Sequence, residues 1–220
     1  MKRYVTYYFG IIFLILFINA CSEQSDSNAV RNKNAVVVIS DDKYVIDSKY
    51  ISRFSRINKS DRAFSLDLCL PDLKPESEGK CIERSGWGRT LRLYIQASDN
   101  LSLEDYYNRV VDYGLRNNCW KKVGVSEFSD QLIHFVNMRC GTNSIGKETD
   151  WEDVYLRKDW KNTEYYRLSC SVYAEGKFPG CKVYSQHDGL RILYSFGQEH
   201  LSQYQEIHQN VLKLLSMFKE

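Results

Sequence analysis

Tyr166-Arg167-Leu168-Ser169-Cys170, then a loop, Cys181, and Leu190-Arg191-Ile192-Leu193-Tyr194-Ser195-Phe196 make up the stretch whose reading settles the fold class. Tyr166, Leu168, Cys170 and Val172 alternate with their neighbours, which is the period-2 signature of a strand with one buried face. The run from Leu190 to Phe196 is apolar enough to lie centrally in a sheet. His187-Asp188-Gly189, just before it, reads as a hairpin turn, because Asp-Gly supplies the positive φ that such turns need.

The same order of features occurs about a hundred residues earlier. Phe64-Ser65-Leu66-Asp67-Leu68-Cys69 alternates strictly, Cys81 follows a loop, and Leu91-Arg92-Leu93-Tyr94-Ile95 repeats the Leu-Arg start of the later run. Each copy then passes through Leu-Ser, at Leu101-Ser102 and Leu201-Ser202, into helical spacing. Ser202 with Gln205 predicts a capping box, after which Tyr204, Ile207, Val211, Leu214 and Phe218 line one helix face. Ser102 with Asp105 is a weaker equivalent, followed by Leu103, Tyr106, Val110 and Tyr113. Leu132 to Cys140 and Trp151 to Arg157 read as further strands, with the turn-rich run Gly141 to Asp150 joining the halves. Ala35 to Ile39 and Tyr44 to Ile46 are short strand-like runs ahead of the first copy. The expected fold is therefore α+β, in two pseudo-repeated halves at about 60–145 and 150–220. Each half is expected to be an antiparallel sheet covered by one helix and stapled by disulfides.

The N-terminus carries an address. Lys2 and Arg3 lead an apolar run from Tyr7 to Ile18, too short to favour a membrane span over a signal peptide. Ile18-Asn19-Ala20-Cys21 resembles the lipobox of bacterial lipoproteins, which implies that Cys21 becomes the lipid-modified first residue. With Ser22 rather than Asp next to it, the same resemblance implies the outer membrane. Residues 1–20 are thus expected to be a leader, 21–34 a polar tether and 35–220 the folded domain. Losing Lys2 and Arg3 takes Lys plus Arg from 30 to 28, equal to Asp plus Glu at 28. A neutral chain gives no electrostatic footprint for nucleic acid. The local cluster Arg53, Arg56, Lys59 and Arg62 reads as an ordinary solvated segment.

With Cys21 assigned to lipid, Cys69, Cys81, Cys119, Cys140, Cys170 and Cys181 remain. An even number in an exported chain points to disulfides, whose connectivity spacing alone does not fix. Their grouping into successive near neighbours suggests Cys69 with Cys81, Cys119 with Cys140 and Cys170 with Cys181. A metal site is disfavoured, because no CxxC pair is present, and no cofactor is implied.

Catalytic constellations are missing from the sequence. It has no GxSxG elbow, no HExxH and no phosphate-binding glycine loop. His134 lies in a strand pattern as a hydrogen-bonded core residue would. His200 and His208 bracket a helix start, a pair short of the three or so protein ligands that zinc catalysis needs. The chain is expected not to be an enzyme. Two acidic groups stand out instead: Asp72, Glu76 and Glu78 in the first cystine loop, and Asp150, Glu152 and Asp153 around Trp151. Aromatics flanked by charge resemble interface hot spots, and Trp87 between two glycines is another candidate contact.

The lipobox, the cysteine pairs, the Phe178-Pro179-Gly180-Cys181 turn and the closing helix from Tyr204 to Phe218 are together similar to periplasmic immunity lipoproteins encoded beside type VI secretion effectors. The resemblance implies a tethered protein that binds a secreted toxic effector, such as a phospholipase or a peptidoglycan-cleaving enzyme, and covers its active site. The other expectation is an envelope-assembly or surface lipoprotein whose partner is another envelope protein.

Overall fold

In the computed structural model, Asp188 and Gly189 take φ values of 48° and 73°. The chain reverses there in two residues, as the Asp-Gly pair predicts, and β11 (Gly180–His187) pairs with β12 (Leu190–Gly197). The structure describes residues 34–52, 55–58, 62–79, 81, 88–98, 112–138, 152–157, 166–171 and 179–220. The other strands are β1 (Ala35–Ile39), β2 (Asp42–Ile46), β3 (Arg56–Asn58), β4 (Ala63–Cys69), β5 (Lys74–Pro75), β6 (Thr90–Ala97), β7 (Trp120–Ser126), β8 (Ser129–Asn137), β9 (Glu152–Arg157) and β10 (Tyr166–Ser171). The α-helices among the described residues are α1 (Glu76–Gly79), α2 (Tyr113–Arg116) and α3 (Tyr204–Phe218).

Two halves with separate sheets are not what forms. β1 and β2 make a two-stranded hairpin, and all the other strands join one ten-stranded antiparallel sheet in the order β3-β4-β6-β12-β11-β10-β9-β8-β7, with β5 also on β4. The junction is the repeat itself: β6 pairs with β12, with Leu193 opposite Tyr94, Ile192 opposite Ile95 and Tyr194 opposite Leu93. Tyr94 and Leu193 are equivalent positions in the two Leu-Arg runs, so the pairing has a local pseudo-dyad at that point. Each run would otherwise leave an open edge of N–H and C=O groups, and pairing them satisfies both. The halves also differ, because β4 pairs directly with β6 while β11 stands between β10 and β12.

Among the described residues, one long helix, α3, covers the sheet. The earlier helix expected from Ser102 lies outside the described residues except at Tyr113, where α2 begins. Tyr204, Ile207, Val211, Leu214, Leu215 and Phe218 of α3 share one core with Leu66 and Leu68 of β4, Leu91, Leu93 and Ile95 of β6, and Ile192, Tyr194 and Phe196 of β12. Burying each such side chain contributes about 1.5–3 kcal/mol relative to exposure. Val37, Ile39, Tyr44 and Ile46 of the β1–β2 hairpin join the same core. The hairpin also grips the helix end, through a Tyr44–Lys219 bridge and a Lys219–Asp42 ion pair of 2.7 Å.

The expected capping box does not form. Gln198–Gln203 already winds as a 3-10 helix, and the N–H of Tyr204 donates to the carbonyl of Leu201. The helix therefore continues directly from the preceding turn, and Gln203 rather than Ser202 takes the cap position, with no side-chain cap hydrogen bond. Gln205 instead donates to the Tyr204 hydroxyl at 3.0 Å.

The opposite face of the sheet carries a smaller core of Cys119, Trp120, Phe135, Val154 and Leu156, with Ile133 and Tyr184 against it. Alternation explains the division: Leu132 and Tyr155 belong to the helix-side core, while Ile133, Val154 and Leu156 face the other way.

Candidate functional site

Strand direction gathers the cysteines at one end of the sheet. Cys69 stands opposite Thr90, Cys170 opposite Cys181, Cys181 opposite Phe196, Ser171 opposite Glu152, and Trp120 opposite Asn137. In an antiparallel sheet this register places the C-terminal ends of β4, β8, β10 and β12 beside the N-terminal ends of β6, β7, β9 and β11. The Asp188-Gly189 turn lies at the far end. Disulfides join Cys69 to Cys81 and Cys170 to Cys181, as the spacing suggests. Cys119 is also disulfide-bonded. Cys140, which the spacing assigns to it, and Cys21, expected from its lipobox-like context to carry lipid, lie outside the described residues.

The candidate contact residues that can be placed are all at this cystine end. Asp72 follows β4 and forms an exposed ion pair of 3.3 Å with Lys74. Glu76 and Glu78 lie in the first turn of α1, where negative charge suits the free N–H groups of the helix start. Glu152 and Asp153 open β9 and already have partners inside the molecule. The Glu152 carboxylate accepts from Asn137 at 3.1 Å and from Arg167 at 3.3 Å. Asp153 is 2.8 Å from Nε2 of His134, whose ring stacks on Tyr155 at 4.7 Å. Trp87, Asp150 and Trp151 lie outside the described residues.

The other histidines are individually engaged. His200 donates through Nε2 to the carbonyl of Gly88 at 3.1 Å, and His187 lies 3.6 Å from the Asp188 carboxylate. His208 of α3 meets the sheet, with Nδ1 3.1 Å from the Tyr194 hydroxyl. Burial, with the nearby charges of His187 and Arg157, pushes its pKa from 6.5 down to about 4, so the ring is neutral near pH 7. It lines a cavity of about 260 Å³ with Gln131, Arg157, Tyr204, Gln205 and Gln209. Burial, reinforced by the charges of Asp153 and Glu127, holds the Tyr155 phenol well above its ordinary range. No group of three or more His, Cys, Asp or Glu that could hold a metal occurs among the described residues.

Sequence reading reached the cystine pairs and the acidic groups through residue type and spacing. It missed the internal partners of Glu152 and Asp153, which come from β8 and β10 and depend on cross-strand register.

No family model and no curated protein sequence matches the chain. Two solved structures share its fold. An immunity protein of the Stenotrophomonas maltophilia type IV secretion system aligns with a TM-score of 0.62 at 12% identity, over 86% of this chain and 94% of that one. The iron-regulated outer membrane lipoprotein FrpD of Neisseria meningitidis aligns with a TM-score of 0.53 at 15% identity, also over 86% of this chain and 94% of its own. Both alignments span nearly the whole of the matched protein, so the likeness is one of complete architecture.

Proposed function

We propose that this protein is a lipid-anchored periplasmic binder, held at the outer membrane, that neutralises a secreted toxin by covering its active site and performs no catalysis itself. The observation that carries the reading is the architecture shared, over 86% of this chain, with a secretion-system immunity protein. The lipobox-like Cys21 supports the location, and the clustering of disulfides supports the mode of action. A cystine-stapled end presents its loops already constrained, which lowers the ordering cost of binding. That neighbour serves a type IV system, so the reading extends to toxins delivered by secretion systems in general rather than to type VI effectors alone. A phospholipase or a peptidoglycan-cleaving enzyme remains the kind of target proposed, since both attack the envelope in which such a protein would stand.

A second reading, an envelope lipoprotein that binds another envelope protein, is favoured by the likeness to FrpD. One experiment separates the two. The full-length protein in detergent is titrated with the product of the gene beside its own, and cells expressing that product in the periplasm are scored for survival. Nanomolar-class binding together with rescue supports neutralisation. Binding without toxicity supports the envelope reading, and no binding removes both for that partner.

A further inference from the structure

The side of the ten-stranded sheet turned away from α3 is charged out of proportion to the chain's formal net charge of +2. Register partners point to the same side of a sheet, so the side of each residue can be followed from strand to strand. One row runs from Asp67 through Arg92, Ser195, Lys182 and Ser169 to Lys122 at the far edge. The next runs from Arg56 through Tyr94 and Tyr184 to Arg167, and Arg191 belongs to a third. Among the described strand residues, this side bears Arg56, Lys74, Arg92, Lys122, Arg167, Lys182 and Arg191 against only Asp67 and Glu152, with Lys74 paired to Asp72 beyond the strand. Both carboxylates are taken up internally, Asp67 by Arg92 and Glu152 by Arg167.

The surface is concave where β3, β4 and β6 meet. A cavity of about 590 Å³ is lined there by Arg56, Asn58, Ser65, Asp67, Arg92 and Tyr94 among others. Asp67 is 3% exposed and takes only the Nε–H of Arg92, at 3.1 Å, while the Arg92 side chain stays 63% exposed. The buried carboxylate thus fixes the guanidinium in place, and its terminal N–H groups are left to a second carboxylate, which they can meet as a fork. From Arg56 on β3 to Lys182 on β11 is four strand spacings, or about 19 Å. That exceeds any single small anion and matches about six residues of extended chain at roughly 3.3 Å each. Nucleic acid fits less well, because base stacking needs open aromatic faces. Trp120 is 7% exposed and Arg167 lies over the rings of both Trp120 and Tyr184, which leaves Tyr94 as the open ring of this side among the described residues.

We propose that this face is a docking surface for an acidic, extended segment of a protein partner, seated across Arg56, Arg92 and Lys182 with Tyr94 beneath it. The surface is continuous with the cystine end, since Asp67 and Arg92 lie two positions from the Cys69–Thr90 pair. It rests on the reading of the chain as a protein-binding module, and adds the charge and shape of what is bound.

The test uses the full-length protein in detergent and a labelled peptide of alternating Glu and Val, with a Gln-Val peptide and an oligothymidine strand as comparisons. The Glu peptide is expected to bind, to weaken with added salt, and to lose about tenfold or more in affinity in the double variant Arg56→Glu, Lys182→Glu. Lys213→Glu, the same kind of reversal made once on the exposed side of α3, is expected to leave binding unchanged, as the single variants Arg56→Glu and Lys182→Glu are not, and an unaltered melting temperature verifies the fold of every variant. Equal binding by the double variant and the wild type, no binding of the Glu peptide, or tighter binding of oligothymidine overturns the proposal. Parallel titration with the neighbouring gene product keeps the two readings apart. Failure of the wild type to bind it counts against neutralisation of that partner, while the peptide series alone judges the face.

Discussion

The two sides of the large sheet are made by the same strands, residue by residue in alternation, yet they do opposite work. On the helix side, Leu93, Ile95, Ile192, Tyr194 and Phe196 are shut away under α3 and the β1–β2 hairpin. On the other side the same strands offer Arg92, Tyr94, Arg191 and Ser195, half-buried or exposed. Stability is thus concentrated on one side, and the freedom to evolve a contact surface is left on the other. The sharpest way to break this contrast uses one substitution on each side of the β6–β12 junction. Leu93→Ala is expected to cost about 2–5 kcal/mol, because it opens a cavity in a closed core. Leu193→Ala, one strand away and facing outward, is expected to cost about 1 kcal/mol or less. Urea titrations of the two variants decide it, and equal losses would mean that the outer side is packed as tightly as the inner.

The smaller core beneath β7, β8 and β9 is the exception on the outer side, and Gly114 tests how firmly it is packed. A Cβ at Gly114 would lie 2.8 Å from Cδ1 of Trp120, a contact that forces either the ring or α2 to move. Trp120 is itself covered by the Arg167 guanidinium at 5.5 Å. Gly114→Ala is therefore expected to destabilise by about 1–3 kcal/mol through overpacking. A neutral result by thermal melting would show that this cluster yields where the helix-side core does not.

How far the sequence reveals this contrast follows from which interactions are local. The strand at Ala63–Cys69, the strand at Leu190–Gly197, the Asp-Gly turn and the amphipathic α3 are all set by periodicity within a few residues. Both placed disulfides follow nearest-neighbour spacing for the same reason. The junction of Leu91–Ile95 with Leu190–Tyr194 is set by non-local pairing, and a repeat in sequence gives no sign of whether its copies pair with each other or stay apart. β7 is not legible because the consecutive exposed Lys121 and Lys122 break its alternation, and β11 is implied only through the Asp188-Gly189 hairpin turn, since buried Ser185 and partly buried Tyr184 blur its two faces. The basic side was hidden because a formal net charge of +2 over the whole chain says nothing of how charges divide between two faces.

His208 gives the helix side a pH dependence that the outer side should lack. Its folded pKa of about 4 lies below the ordinary 6.5, so the unfolded chain binds the proton more readily. Its contribution to stability is complete above about pH 6.5 and is lost as the pH falls towards 4. Melting temperatures taken between pH 7 and 5, above most carboxylate titration, are expected to fall in the wild type and to fall less in His208→Phe. Identical slopes would mean that the ring is accommodated when protonated, and hence that α3 is less closely seated than the contacts of Tyr194 and His208 indicate.

The smallest effects come from one substitution made on each side, Tyr194→Phe and Tyr94→Phe. The Tyr194 hydroxyl is buried and 3.1 Å from His208, and its removal takes a hydrogen-bond partner from a group that water does not readily reach. The expected cost is about 1 kcal/mol, with some of it varying as His208 titrates. The Tyr94 hydroxyl donates to Gln96 at 2.9 Å on a residue that is 36% exposed, where water can replace either partner. Tyr94→Phe should therefore change stability by less than about 0.5 kcal/mol. Should the docking surface be as proposed, Tyr94→Phe should also leave acidic-peptide binding nearly intact while Tyr94→Ala weakens it. The ring serves as a platform through its face, and the hydroxyl is already turned to Gln96.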